Sequence, residues 1–360
     1  MSLQQDLILN KPREVSGSSS SNRFQFQKDW AICKLIEMQL SNEEYVVIMD
    51  FHDDVLIIDS DVNPQLAKFY QLKTKADGHW TLQNLIACKK DSNSFIGKLY
   101  YNKLAFPNSQ VELNFVSNAH YKVNIKGEES PDASLRFRDI CINLLDNKSQ
   151  EKIANQIVKE FALTDEPSLK NIIYLRVTEL SINSRETYTK GKLSEFFDRI
   201  DTESKVNPVV AYRMLSSEIG KRNDYEWQIQ SFEEMLTYKG ITKSEFARII
   251  NELISHSQVY SDWNNIESNL LNCGIGIKEI KVLKSNWRAY EIDRMKTENV
   301  LLGTIRQRII ELIKSCGEFP NYKVLIEDIL NQYKNFYKID NVVYDEDYIK
   351  SMILMEFCLC

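Results

Sequence analysis

Asp54, Gln71 and Lys73 are side chains of the types that could act together on a phosphate. A carboxylate binds a divalent cation such as Mg²⁺ through oxygen. The Gln71 side-chain oxygen can complete the shell, the Leu72 carbonyl is a further donor, and Asp53 supplies a second carboxylate candidate. A lysine ammonium beside them can orient the attacking water and offset charge that builds on the phosphate. Gln71 and Lys73 stand at i and i+2, so in a strand they share one face while Tyr70 and Leu72 turn to the other. A free lysine pKa near ~10.4 leaves little base at neutral pH. Lys73 therefore suits orientation and charge stabilisation, unless a nearby cation lowers its pKa far enough for proton abstraction.

The elements that must position these residues are short. Between Glu44 and Lys73 lie the runs VVIM, VLII and KFYQLK, rich in Val, Ile and aromatics and bounded by Asp, Asn or Pro, which is how buried strands read. If the second and third strands pair, Asp54 comes close to Gln71 and Lys73. A mostly buried helix is expected from Phe24 to about Leu40, ending at Ser41-Asn42. Asp77-Gly78 reads as a turn, followed by a short amphipathic helix from Thr81-Leu82. Lys75, Lys89, Lys90, Lys98 and Lys103 make the following region locally basic, as a DNA-facing rim would be. Residues 95–125 read as further strands or as strand–helix–strand, with a turn at Pro107-Asn108. Helical patterns follow over 134–162, and NIIYLRVTEL reads as a strand.

The stretches NRFQFQKDWAICKLIEM, DFHDDVLIIDSD, FYQLKTK and HWTLQNL together resemble the PD-(D/E)xK, restriction-endonuclease-like superfamily in its D…QxK form. The resemblance is closer to the double-strand DNA endonuclease domain of bacterial anti-phage effectors, which occurs in CBASS effectors and in Lamassu-type nuclease subunits that work with an SMC-like partner. It implies an α/β (α+β) fold with a mixed sheet flanked by helices, and metal-dependent cleavage of double-stranded DNA with little sequence specificity. Asp54, Gln71 and Asp53 would hold Mg²⁺, with Mn²⁺ as a substitute, and Lys73 would assist the attack. Gln27, in the first turn of the leading helix, would point into the site to position water or contact DNA. Arg13 and Gly17, with the serines that follow, would form a loop near a phosphate. Gln71 stands where other members carry Glu or Asp, so metal binding should be weaker than in a D…ExK site. The resemblance extends through TKGKLSEFFDRI and VVAYRMLSSEIGKRN. It gives a nuclease domain at 23–225; low-complexity polar composition reads 1–22 as a flexible segment, and helical patterns make 226–360 a helical domain for partner docking or oligomerisation.

In the last segment an N-cap at Thr242 or Ser244 opens an apolar run. Leu302, Ile305, Ile309 and Leu312 then repeat at helical spacing, and a further helical pattern runs from Lys323 to Tyr337. The whole stretch reads as an all-helical bundle.

The chain of 360 residues is 43% apolar and 27% charged, ample for a core and for two domains. No run of 18 apolar residues and no basic-then-apolar leader is present, so a cytoplasmic protein without membrane contact is expected. Seven scattered cysteines without a Cys-x-x-Cys pair, and four scattered histidines, argue against structural zinc. Neither GxxxxGK[ST] nor GxGxxG occurs, which excludes a P-loop or Rossmann reading. A net charge of −6 implies weak DNA grip by the chain alone, with a partner or a homo-oligomer supplying the rest. Two other functions fit the same residues: a catalytically silent structural or adaptor subunit, and RNA cleavage.

Overall fold

The apolar runs form strands. In chain order the first elements are α1 (Leu3–Leu9), α2 (Ser21–Gln39), β1 (Val46–Phe51), β2 (Asp53–Ile58) and β3 (Leu66–Lys73). They are followed by β4 (Trp80–Thr81), α3 (Leu82–Ile86), α4 (Phe95–Ala105), β5 (Gln110–Ser117), β6 (Tyr121–Lys122), β7 (Asp139–Cys141), α5 (Asn147–Phe161) and β8 (Ile173–Val177). Then come α6 (Arg185–Ile200), α7 (Pro208–Asn223), α8 (Phe232–Lys239), β9 (Gly240–Thr242) and α9 (Lys243–Ser261). The computed structural model describes residues 3–9, 21–41, 43–88, 92–200, 206–261, 263–294, 299–336 and 344–359. The chain divides into two compact units, residues 1–193 with 215–249, and residues 194–214 with 250–360.

In the first unit, seven of the described strands make one mixed sheet in the order β7-β8-β5-β3-β2-β1-β9. β1, β2 and β3 form an antiparallel meander, and β5 joins β3 in parallel with Gln71 opposite Phe115 and Lys73 opposite Ser117. One face of the sheet carries Leu56, Ile58, Phe69, Leu113 and Phe115, in one core with Ile96 and Leu99 of α4 and Ile153 and Ile157 of α5. On the opposite face Tyr70 meets Trp30 of α2, ring centroids 5.0 Å apart. Period-two alternation along β3 thus sends Phe69, Gln71 and Lys73 toward α4, and Tyr70 and Leu72 toward α2.

FIGKLYYNKLA, open to either reading from sequence, is helix α4. Ser94 caps it by accepting from the Gly97 N–H, and Ile96, Leu99 and Tyr100 are buried at helical spacing. The stretch expected to be a flexible tail contains α1, whose Leu3 and Leu7 are buried in the sheet core; two leucines four apart give a short helix a docking face. β9 lies in a stretch whose periodicity reads as helical, and pairs antiparallel with β1. Gly240 permits the abrupt exit from α8, since a Cβ there would lie 2.7 Å from the Leu236 carbonyl oxygen. Thr242 does cap the next helix, its hydroxyl accepting from the Glu245 N–H at 3.1 Å.

The second unit contains α10 (Trp263–Asn272), α11 (Ile277–Asp293), α12 (Val300–Ser315), α13 (Tyr322–Phe336) and α14 (Glu346–Leu359). Met352, Ile353, Leu354 and Met355 are all buried, so α14 is covered on every side and forms the centre of this core, packed on α11, α12 and α13. The buried Glu356 carboxylate accepts from the Tyr290 hydroxyl at 2.6 Å and pairs with Arg294 and Arg306 at 3.0 and 3.1 Å. Among the described residues no helix is long and apolar enough to cross a membrane.

Candidate active site

The antiparallel ladder between β2 and β3 ends at Val55 opposite Tyr70, which leaves Asp54 beside Gln71 on the face that carries α4. Beyond the last ladder pair, the Leu72 N–H turns to a side chain: it donates to Asp54 Oδ2 at 2.6 Å. Lys73 Nζ donates to the same oxygen at 3.2 Å. One carboxylate oxygen is thereby fixed by two donors, and the lysine is held against it by charge and geometry. Gln71 is 6% exposed, and its Oε1 is buried without a hydrogen-bond partner among the described residues. A buried acceptor left this way costs on the order of 1–3 kcal/mol, so its retention beside a carboxylate marks a place for a ligand.

These residues open into a cleft lined by Asp50, His52, Asp53, Asp54, Gln71, Lys73, Lys98 and Tyr101. Its rim is the tight β1–β2 hairpin, where Asp50 and His52 both take positive φ, 46° and 65°. Such backbone persists where surrounding contacts over-determine it. His52 sits among the rings of Phe51, Phe69 and Phe106 and bonds through Nε2 to the Leu7 carbonyl of α1 at 2.9 Å. Burial pushes its imidazole down to about 4, the Leu7 bond opposing, so it is neutral and donates at that bond. Lys239 of α8 lies 3.9 Å from Asp50 and is itself buried. Burial draws its ammonium below the usual lysine range, with Asp50, Asp224 and Glu226 pulling it back.

Asp53 is oriented differently from Asp54. Its Oδ1 accepts from the Asp54 N–H at 3.0 Å and its Oδ2 from the Asn102 amide of α4 at 3.2 Å. Any role as a metal ligand would use its remaining lone pairs. Among the described residues no three His, Cys, Asp or Glu side chains gather tightly enough to hold a metal by themselves. The donors that do converge, the Asp54 carboxylate and the orphaned Gln71 oxygen, are hard oxygens. They fit Mg²⁺ or Mn²⁺, which keep several waters when protein ligands are few.

Gln27 is half-buried on α2 and is not among the residues that line the cleft. Lys75 is half-buried: its Nζ donates to the His79 carbonyl and to Asn84 Oδ1, and lies 5.1 Å from the Trp80 ring centroid. Arg13, Gly17, Lys89 and Lys90 lie outside the described residues. Sequence reasoning did not place Asp50, His52, Asn102 or Tyr101 in the site, and took Lys98 only as part of a basic region. The signal for the α4 residues was present: at helical spacing Lys98, Tyr101 and Asn102 fall on one face.

Residues 15–223 match the family described as "Cap4, dsDNA endonuclease domain". The chain is 24% identical over 294 residues to "Lamassu protein LmuA" of Bacillus cereus (strain VD014), covering 80% of this chain and 79% of that protein. No solved structure matches the chain significantly.

Proposed function

The chain belongs to the Cap4 dsDNA endonuclease domain family, and from that premise we propose that it is a metal-dependent endodeoxyribonuclease acting as the effector of a bacterial anti-phage defence system. The observation that carries the proposal is the Asp54 carboxylate, fixed by the Leu72 N–H and Lys73 beside a buried, unpartnered Gln71 oxygen. Asp54 and Gln71 would hold a divalent cation, with Asp53 as a supporting carboxylate. When bound, the cation would supply Lewis acidity toward the scissile phosphate and acidify a bound water.

The chain's own residues do the rest. Asp54, anchored at one oxygen, keeps the other available for ligation. Lys73 presents its ammonium at the same point, where it orients the attacking water and counters charge that builds on the phosphate. Gln27 and the basic residues Arg13, Lys75, Lys89 and Lys90 remain proposed DNA contacts. Contacts of that kind position a backbone without reading bases, which agrees with low sequence specificity.

In this reading residues 23–225 carry the chemistry. The helical stretch within 226–360 docks a partner or a second copy, in the cytoplasm. The relative's Lamassu name supports a complex partner, which in this proposal is an SMC-like or other defence-system subunit. A nuclease harmful to its own cell is then held inactive until that partner or oligomerisation releases it.

The test is cleavage of linear and circular double-stranded DNA with Mg²⁺, with Mn²⁺ and with EDTA, by the chain alone and with the products of its neighbouring genes. Metal-dependent cutting that falls by on the order of 10²-fold or more in Lys73→Ala is the expected result. Silence in every arm would assign the chain to the adaptor reading.

A further inference from the structure

We propose that His52 is a positioning residue of this site and that it acts through α1, the helix at Leu3–Leu9. The proposal rests on the nuclease reading above and extends it to a segment that lies before the family match at residues 15–223. His52 lines the cleft together with Asp53, Asp54, Gln71 and Lys73. Its Nε2 donates to the Leu7 carbonyl of α1 at 2.9 Å. Its ring meets those of Phe51, Phe69 and Phe106 edge to face, which fixes the direction of that donor.

α1 is bonded to the turns on both sides of β2, the strand that carries Asp53 and Asp54. His52 stands immediately before that strand. Beyond its other end, the Val62 carbonyl in the loop to β3 accepts from Gln4 Nε2. Leu3 and Leu7 are buried in the sheet core, and α1 also packs on α8. The helix is therefore held by the core, independently of the cleft, and can anchor the turn.

The turn needs an anchor. Met49 pairs with Val55 and Phe51 with Asp53, so His52 alone closes the hairpin. Asp50 and His52 take φ of 46° and 65°, a region that residues other than glycine keep only where surrounding contacts hold them there. Asp54 follows His52 by two residues, and its carboxylate must meet the Leu72 N–H at 2.6 Å and Lys73 at 3.2 Å. A turn released from α1 would relax toward ordinary backbone angles and carry Asp54 out of that arrangement. His52 thus sets the donors of the site without touching the reacting atoms.

The experiment reads metal binding apart from cutting, in the full-length chain. Mn²⁺ is titrated calorimetrically into the DNA-free protein, and cleavage is followed over a range of DNA concentrations. Both are done at a temperature where melting curves show every variant folded. His52→Phe keeps a ring and loses the donor, whereas His52→Gln keeps a donor at similar reach and loses the ring. Neither residue favours positive φ, so backbone strain is matched between them. His52→Phe should weaken Mn²⁺ binding by about tenfold, as loss of an outer-shell partner does, at unchanged KM for DNA. His52→Gln should recover most of that loss. Leu3→Ala with Leu7→Ala strips the docking face of α1 and should reproduce the His52→Phe loss, and combining all three should add nothing further. Parent-like Mn²⁺ binding in His52→Phe, weaker binding in His52→Gln than in His52→Phe, or losses that add in the combined variant overturn this proposal alone. A parent that neither binds Mn²⁺ nor cuts DNA overturns the nuclease reading and this proposal together.

Discussion

Gln71 holds a buried oxygen with no partner among the described residues, and that makes stability and activity pull in opposite directions at one position. Replacing it by methionine removes the unmet acceptor at similar volume, so Gln71→Met should gain about 1 kcal/mol. For a unit of this size that is a rise of roughly 2–4 °C in melting temperature. Metal-dependent cleavage should disappear in the same variant. A fall in melting temperature would mean that the oxygen has a structural partner and would sink the argument. The reverse substitution, Gln71→Glu, places a second carboxylate beside Asp54. It should tighten divalent-cation binding by roughly tenfold, read by calorimetric titration, and lower the stability of the metal-free protein through like-charge repulsion.

The β1–β2 hairpin and α4 form the element-scale unit that aims the site, and Asn102 is the bond between them. Asn102→Ala removes one donor from the half-buried Asp53 carboxylate, at a cost of about 1 kcal/mol. Cleavage should fall with it, although Asn102 itself touches no substrate; comparing kcat with KM at fixed Mg²⁺ would show the loss, and unchanged kinetics would remove Asn102 from the positioning set. The three strands of the meander were legible in sequence because period two, β-branched runs and Asp or Pro boundaries all agree there, and the approach of Asp54 to Gln71 followed only on condition that β2 and β3 pair. The assignment of α4 stayed open because FIGKLYYNKLA is aromatic-rich, and its capping serine precedes a glycine that itself disfavours helix. Strands of three residues, β7 and β9, carry no periodic signal at all. His52 was illegible for another reason. Its place at the site depends on Leu7, 45 residues earlier, and only the fold brings the two together.

At the scale of the whole molecule, the two units answer to different physics. The second unit buries Glu291, 7% exposed, and burial raises its carboxyl to about 7 against the opposing pull of Arg288 and Arg294. The native state then keeps a proton that the unfolded chain has lost, so stability should fall as pH rises from about 4.5 to about 7 and level off above it. The loss amounts to about 3 kcal/mol. Glu291→Gln should flatten that profile, its melting temperature exceeding that of the parent at pH 8 but not at pH 4.5. Identical profiles would show that other groups set the dependence. The first unit is governed by connectivity. Ile48 of β1 pairs with Gly240 of β9 across nearly two hundred residues. On a ribosome adding ~5–20 residues per second, the β1 edge waits about 10–40 s for its neighbour after it has emerged. During that interval an apolar strand stands uncovered, open to pairing with other nascent chains. A fragment cut at residue 223, where the family match ends, would keep that edge permanently bare. It should aggregate on translation, whereas one ending at residue 261 should stay in the supernatant.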